Sequence, residues 1–183
     1  METLRTERLI LRELRLEDIN DFFDYAKNPN VSLELSGWEP YFTNKVKALG
    51  FLKSYVAKND TWAVALRDNG KVIGHIKIYP DENRGKYSER NGAKLLTYAL
   101  SEDYWGRGYM TEAVKQVVKY FFDKMRVELL TVFHIPSNVR SKRVIEKCGF
   151  QYEATIKQGF KNYDGQVFDC IIYSIVKSDY YLE

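Results

Sequence analysis

Gly106 and Gly108 are the residues best placed for chemistry on a ligand, because they stand between a predicted strand ending at Leu100 and the start of a predicted helix. A helix N-terminus exposes unpaired backbone N–H groups and carries about half a positive charge. Two glycines let an anion approach that backbone without an intervening side chain. The segment therefore predicts an anion site that suits a pyrophosphate, although a simple tight turn would use the same glycines. A dinucleotide-binding loop fits less well, since its third glycine would fall on Thr111.

A second candidate element lies one predicted helix and one predicted strand further on, where Asn138 precedes the basic residues Arg140, Lys142 and Arg143. The amide of Asn138 can both donate and accept hydrogen bonds, which suits the peptide-like groups of a cofactor. The basic side chains can attract a terminal phosphate. An asparagine that caps a short helix, followed by solvated basic residues, would give the same pattern. Alone, this element does not separate a binding role from a structural one.

Hydrophobic periodicity and turn signals predict the elements that must position these residues. The predicted strands are Arg8–Leu14, Trp62–Arg67, Lys71–Tyr79, Lys94–Leu100, Leu129–Phe133, Tyr152–Phe160 and Val167–Ile175. The predicted helices are Ile19 to Ala26, a stripe of Val46, Leu49, Leu52 and Val56 after an N-capping Thr43, the stripe from Met110 to Phe122, and Asn138–Lys147. This order predicts an α/β (α+β) fold with one mixed, mostly antiparallel sheet of about seven strands and about four flanking helices. We expect residues 1–183 to form a single domain.

Composition and charge argue against several other classes of protein. The formal net charge is +3 and the pI about 8.7, with both signs interspersed, whereas nucleic-acid binding usually needs a concentrated basic stripe. Cys148 and Cys170 have no metal-ligand spacing, so no metal site is expected and a reducing compartment fits. No apolar run approaches the ~20 residues of a membrane span, and the first residues lack a signal-peptide core. These features predict a cytoplasmic protein without nucleic-acid or membrane partners.

Taken together, the two candidate elements resemble the Gcn5-related N-acetyltransferase (GNAT) superfamily. The cofactor motif of that family reads Arg/Gln-x-x-Gly-x-Gly/Ala and corresponds here to residues 105–110, with Met110 in place of the usual small residue. More narrowly, Tyr-Trp-Gly-Arg-Gly-Tyr-Met-Thr-Glu-Ala at 104–113 and Asn-x-x-Ser…Glu-Lys-Cys-Gly-Phe at 138–150 are similar to the ribosomal-protein N-terminal acetyltransferases of the RimJ/RimL type. The resemblance covers nearly the whole chain.

The resemblance implies acetyl-CoA as the cofactor, bound where the strand Lys94–Leu100 splays apart from Leu129–Phe133. The pantetheine arm would pair like an extra strand with the exposed edge, and the amides of the glycine turn would hold the pyrophosphate. The residues that the resemblance assigns to the cofactor are Ala99, Leu100, Gly106, Arg107, Gly108, Tyr109, Met110, Thr111, Asn138, Ser141 and Arg143.

The resemblance also implies direct transfer of acetyl from a thioester to a primary amine. A backbone N–H near Leu100, freed by the splay, is the candidate donor to the tetrahedral oxyanion. Many family members place a tyrosine acid seven residues after the asparagine, but Ile145 occupies that position here. Ser141 matches the serine proposed to replace it in the RimJ/RimL branch and could hydrogen-bond the thiolate, although a capping role in the first helical turn is nearly as well supported.

Trp38, Tyr98 and His134 are candidates for contact with the acceptor, with ordinary packing as the alternative for each. His75, which alternates with Ile73, Lys77 and Tyr79 on one strand, and Glu112, in the first turn of a helix, are interpreted as structural.

The leading hypothesis for the acceptor is a protein N-terminal α-amine of the ribosomal-protein type. An α-amine costs only ~1–1.4 kcal/mol to deprotonate at pH 7, against roughly 4–5 kcal/mol for a lysine amine, and no strong base is evident in the sequence. A small amine (polyamine, amino acid or antibiotic) and a non-catalytic acetyl-CoA-binding protein are the alternatives. The chain could be a monomer, or a homodimer paired through the late hairpin that carries Tyr163 and Phe168.

Overall fold

The computed structural model describes residues 1–32, 44–89, 92–162 and 165–182. The strands are β1 (Leu4–Arg5), β2 (Leu9–Glu13), β3 (Thr61–Leu66), β4 (Val72–Pro80), β5 (Ala93–Leu100), β6 (Leu129–His134), β7 (Gln151–Lys161) and β8 (Val167–Val176). The helices are α1 (Ile19–Ala26), α2 (Pro29–Ser32), α3 (Lys45–Lys58), α4 (Lys86–Glu89), α5 (Tyr109–Lys124), α6 (Val139–Lys147) and α7 (Lys177–Tyr180). Short 3-10 turns cover Leu16–Asp18, Glu82–Arg84 and Glu102–Tyr104.

The strands form one eight-stranded sheet in the order β1-β2-β3-β4-β5-β6-β8-β7. Only β5 and β6 are paired in parallel; the other neighbouring pairs in this sheet are antiparallel. The mixed, mostly antiparallel sheet is therefore confirmed. The prediction of seven strands missed β1, because a two-residue strand has no periodicity to detect.

The two faces of the sheet carry separate apolar layers. α5 buries seven side chains, and all seven belong to the predicted stripe, with Met110 at its start and Phe122 at its end. They pack on Leu96 of β5 and Leu130 of β6. α1 and α3 cover the opposite face. Within the described residues, no helix is long and apolar enough to cross a membrane.

The predicted buried stripe of α3 was correct at Leu52 and wrong at Val46. Asn44 caps the helix by accepting a hydrogen bond from the Lys47 N–H, and the predicted cap, Thr43, lies outside the described residues. The buried residues are Ala48 and Leu52, whereas Val46 is 79% exposed. Val46 lies about 200° around the helix from Ala48 at 100° per residue. A small alanine therefore occupies the position that faces the sheet.

The grouping of Ile73 with His75 on β4 was also wrong. The register of β3 against β4 shifts between Val64 and Ala65, so that Ile73 is an extra residue on β4. Such a bulge reverses the alternation of side chains. Ile73 packs on the α5 face, while His75 contacts rings from α1 and α3 on the other face.

Candidate active site

A gap opens in the middle of the sheet, because β5 and β6 pair for only part of their length. Their parallel register runs from Ala93 opposite Leu129 to Leu96 opposite Val132, and both strands continue beyond that point. The predicted splay between these two strands is therefore present.

The backbone N–H of Leu100 points into this gap. The Ser101 N–H donates to the Ile73 carbonyl at 2.7 Å, which makes Gly74 and Leu100 a non-hydrogen-bonded pair of the antiparallel ladder. In such a pair the N–H groups face away from the partner strand. The Leu100 N–H consequently faces the side where β6 has diverged.

A cavity of about 420 Å³ occupies the gap and reaches both faces of the sheet. On the α5 and α6 side its walls include Tyr98 and Ser141, and on the α1 and α3 side they include Tyr55 and His75. Two ligands could therefore approach Leu100 from opposite faces of the sheet.

The glycine turn forms one end of this cavity. Gly106 has φ +72° and Gly108 has φ +80°, a left-handed backbone that side chains other than glycine's rarely adopt. Gly108 caps α5, and the Glu112 N–H makes a helical hydrogen bond to the Gly108 carbonyl at 3.0 Å. The N–H groups of Tyr109, Met110 and Thr111 come before this first helical hydrogen bond, so they have no acceptor within the helix. The Met110 side chain turns into the core.

Arg8 of the segment before β2 holds the turn from outside. Its Nη1 donates to the Arg107 carbonyl at 3.0 Å, and its guanidinium lies 4.3 Å from the centre of the Tyr109 ring. Glu112 accepts from the Arg8 Nε at 2.7 Å, from the Arg8 backbone N–H at 2.9 Å and from the Thr6 hydroxyl at 2.5 Å. Burial raises the pKa of Glu112, but these hydrogen bonds lower it more, so its net shift is downward. The prediction of a structural Glu112 is confirmed, whereas sequence reasoning missed the part played by Arg8.

Asn138 is the N-cap of α6, with its Oδ1 accepting from the Ser141 N–H at 2.8 Å. Asn138 therefore has the helix-capping role that the sequence analysis gave as the alternative. It leaves the Nδ2 group of Asn138 to donate, and the residue lines the cavity.

Ser141 and Tyr98 are hydrogen-bonded to each other, with 2.7 Å between the two hydroxyl oxygens. The Tyr98 hydroxyl also lies 3.2 Å from the Ser141 carbonyl oxygen. Ile145, at the position of the family's tyrosine acid, is buried in the core. Sequence analysis named both hydroxyl residues but gave no sign of their pairing, since α6 and β5 meet only in the folded chain.

Three cationic residues line the cavity beyond the turn: Arg140, Arg143 and Lys147. The Arg140 guanidinium lies 4.0 Å from the centre of the Trp105 ring, and the Trp105 Nε1 donates to the Leu100 carbonyl at 2.8 Å. The Arg107 side chain lies over the Tyr104 ring instead, and Arg107 is not among the residues that line the cavity.

His134 is buried and lines the cavity at the end of β6. Its Nδ1 lies 2.8 Å from the Ile135 carbonyl oxygen. A carbonyl only accepts, so the neutral tautomer that fits this contact has its proton on Nδ1 and a lone pair on Nε2. That Nε2 has no hydrogen-bond partner within the described part of the chain.

His75 is buried on the other side of the cavity, with its Nδ1 3.0 Å from the Tyr25 hydroxyl. Burial lowers the pKa of His75 to about 3, and the charge of Lys77 contributes. The ring is therefore neutral at physiological pH. Trp38, the remaining predicted acceptor contact, lies outside the described residues.

The fold and this site are those of an N-acetyltransferase. The family model described as an acetyltransferase (GNAT) domain matches residues 8–151. The chain belongs to the GNAT acetyltransferase family.

Individual relatives are similar over nearly their whole length. The N-acetyltransferase p20 of Bacillus licheniformis is 25% identical over 98% of this chain and 99% of its own. The [ribosomal protein uS5]-alanine N-acetyltransferase of Escherichia coli is 24% identical over 97% of this chain and 92% of its own. The crystal structure of a GNAT-family acetyltransferase from Bacillus anthracis superposes with a TM-score of 0.85 at 20% identity, covering 97% of this chain and 99% of that one.

Proposed function

We propose that this acetyltransferase moves acetyl from acetyl-CoA to an α-amine, with a protein N-terminus as the leading acceptor. The observation that carries the proposal is the cavity that reaches both faces of the sheet at Leu100. The donor would occupy the α5 and α6 side, and the amine would arrive from the α1 and α3 side.

The residues of the cavity fit acetyl-CoA. The N–H groups of Tyr109, Met110 and Thr111 at the start of α5 suit its diphosphate. The gap between β5 and β6 has room for an extended pantetheine arm, with the Nδ2 of Asn138 as a donor beside it. Arg143 and Lys147 supply positive charge for the terminal phosphate.

The bound thioester supplies an electrophilic carbonyl, and the protein's own groups act on the charge that develops around it. The Leu100 N–H donates to the oxyanion; loss of one such donor typically costs ~3–4 kcal/mol of barrier. The paired hydroxyls of Ser141 and Tyr98 stabilise the departing thiolate and provide its proton, and the proton that the attacking nitrogen loses restores the hydroxyl. The lone pair of His134 Nε2 accepts a hydrogen bond from the bound ligands.

We expect the amine to reach the thioester already neutral, because the described cavity walls contain no Asp or Glu and His75 is a weak base. The remaining histidine of the described walls, His134, packs against Tyr173 on the α5 side of the sheet, opposite the side proposed for the amine. The need for a neutral amine favours an α-amine over a lysine side chain by roughly 3 kcal/mol of deprotonation cost at pH 7. The absence of carboxylates from the described walls also argues against a polyamine acceptor. The relative from Escherichia coli acts on an alanine N-terminus, which agrees with an α-amine here.

Thiol release from acetyl-CoA tests the proposal. The acceptors are peptides with free N-termini, the same peptides with blocked N-termini, free α-amino acids, and polyamines. We expect release with free α-amines and none with their blocked counterparts, and mass spectrometry should locate the acetyl group on the α-nitrogen. Release with polyamines alone would favour a small-amine enzyme. Tight CoA binding without release for any acceptor would indicate a non-catalytic acetyl-CoA-binding protein and overturn the proposal.

A further inference from the structure

The part of the cavity on the α1 and α3 side has its own chemistry, and we call it the acceptor half. It is lined by Tyr55 of α3, by His75, Lys77 and Tyr79 of β4, and by Thr97 of β5. The three β4 residues lie on one face because they are two positions apart along the strand. They face the same space that the proposed function gives to the amine.

Among the described residues that line the acceptor half, Lys77 is the one with a charged side chain. His75 is neutral, with a pKa of about 3. Burial, followed by the charges of its neighbours, raises the pKa of Tyr79 to about 12, so its phenol keeps its proton. The acceptor half therefore combines one positive charge with neutral hydroxyl and ring groups.

The Lys77 ammonium is held in a fixed position but is not tightly neutralised. Its Nζ lies 5.1 Å from the ring centres of both Tyr55 and Tyr79, within the range of a cation–π contact. The carboxylate oxygen of Asp60 lies 3.8 Å away, near the outer limit of an ion pair, and Asp60 also accepts from the Thr61 hydroxyl at 2.8 Å. Asp60 does not line the cavity. The ammonium can thus offer N–H donors to a second anion.

The spacing along β5 limits how large the intervening group can be. Lys77 lies opposite Thr97, three residues before Leu100. At about 3.3 Å per residue, the backbone position opposite Lys77 lies about 10 Å along β5 from Leu100, the proposed oxyanion donor. A hydrogen bond of ~2.9 Å at each end takes up more than half of this distance. The remaining ~4 Å is close to the ~3.3–3.6 Å that one extended amino-acid residue spans.

We propose that Lys77 binds a carboxylate of the acceptor, so that the preferred acceptors carry a carboxylate on the same residue as the reacting α-amine. This inference rests on the proposed function, because it deepens the description of the same site. The carboxylate has two possible sources: the α-carboxylate of a free amino acid, and the side chain of an acidic first residue in a polypeptide.

Matched acceptors test the inference. Phenylalanine is compared with phenethylamine, leucine with isoamylamine, and a peptide that begins with Glu with one that begins with Gln. The members of a pair differ in amine pKa, so kcat/KM is calculated from the concentration of neutral amine. We expect this kcat/KM to be at least tenfold higher for the carboxylate-bearing member of one or more pairs. Preference within the amino-acid pairs assigns the α-carboxylate, and preference within the peptide pair assigns the side chain.

Lys77→Met keeps much of the side-chain length without the charge. We expect it to lower kcat/KM at least tenfold for the preferred carboxylate acceptor, to leave the carboxylate-free member unchanged, and to leave the KM for acetyl-CoA unchanged. Lys71→Met is the control, since Lys71 is exposed and does not line the cavity.

The outcomes separate this inference from the proposed function. Acetylation of α-amines without a carboxylate preference would overturn the inference alone. An equal loss for all acceptors in Lys77→Met would also overturn it, since it would reveal a structural role. Failure of every acceptor would overturn both.

Discussion

Two hydroxyl groups, those of Ser141 and Tyr98, lie in the cavity wall, whereas the sequence position where the family resemblance implies a tyrosine acid holds Ile145. Ile145 stands at that sequence position and is 1% exposed in the core. Ser141 and Tyr98 approach within 2.7 Å and both line the cavity. When the Tyr98 hydroxyl donates to the Ser141 Oγ, the Ser141 proton remains available to a leaving group. In the proposed mechanism, the pair takes the part that the family resemblance implies for a single tyrosine.

Ser141→Ala should lower kcat at least tenfold, equivalent to about 1.4 kcal/mol of barrier, with little change in CoA affinity. The alanine removes the hydroxyl but keeps the backbone N–H that Asn138 caps. Steady-state kinetics and CoA titration measure the two effects. Tyr98→Phe is the matched control: a smaller loss than in Ser141→Ala identifies Ser141 as the group nearer the sulfur. An unaltered rate in Ser141→Ala would remove that residue from the mechanism.

Residue types and spacing predicted the backbone features of the site better than its side-chain contacts. The glycines at 106 and 108 and the cap at Asn138 are local, and the structure contains both. The pairing of Tyr98 with Ser141 and the orphan Nε2 of His134 depend on elements brought together from distant parts of the chain. No local pattern encodes such contacts.

At the scale of elements, the turn before α5 depends on the segment that precedes β2. Arg8 bonds the Arg107 carbonyl and covers the Tyr109 ring, while Glu112 of α5 fixes Arg8 in return. The turn, several of whose residues line the cavity, is thereby held in place by contacts of the chain itself. Preorganisation of this kind lowers the cost of ordering a binding site.

Arg8→Met should raise the dissociation constant for CoA about tenfold, because the turn loses its outer support and a positive charge near the diphosphate. The expected change in kcat at saturating acetyl-CoA is small, since Arg8 lies away from the proposed reaction centre. Calorimetry of CoA binding and a comparison of KM with kcat provide the measurement.

Arg5→Met controls for the loss of one arginine from the same region, as Arg5 is exposed on β1. Arg8→Lys restores the charge without the forked geometry and should recover only part of the affinity. Equal CoA affinity in Arg8→Met and Arg5→Met would contradict a role for Arg8 in the turn.

The elements themselves were predictable to different degrees. α5 has a long apolar stripe, so its type and phase could be predicted from the sequence. The phase of α3 could not, because Ala48 is too weakly apolar to outweigh Val46 in a pattern. The bulge at Ile73 also escaped prediction, since it arises from the pairing of β3 with β4.

At the scale of the whole molecule, one parallel pair in an otherwise antiparallel sheet creates the site. A parallel connection requires a crossover, and α5 provides it between β5 and β6. The crossover places the start of α5 near the end of β5, where the two strands have separated. The glycine turn and the Leu100 N–H therefore lie at the same end of one gap.

Amide hydrogen exchange should show that the diphosphate and the acetyl group of acetyl-CoA are bound by different backbone N–H groups. CoA and acetyl-CoA should both slow exchange at Tyr109, Met110 and Thr111, because both carry the diphosphate. Leu100 should be slowed further by acetyl-CoA than by CoA, since only the acetyl oxygen accepts from its N–H in the proposed arrangement. Mass spectrometry or NMR of the protein with each ligand, without acceptor, measures the difference.

Edge strand β7 supplies the internal reference, because it lies at the far end of the sheet from β1 and its side chains are mostly exposed. Its outward-facing amides should exchange at the same rate with either ligand. Binding that slowed every amide equally would reflect global stabilisation, which is about 2.7 kcal/mol at a ligand concentration of 100 Kd. If the Leu100 amide exchanged at the same rate with CoA as with acetyl-CoA while the turn amides were protected, the Leu100 N–H would not be the oxyanion donor. The splay would then serve to admit the pantetheine arm, and the negative charge of the tetrahedral intermediate would have to be stabilised from another wall of the cavity.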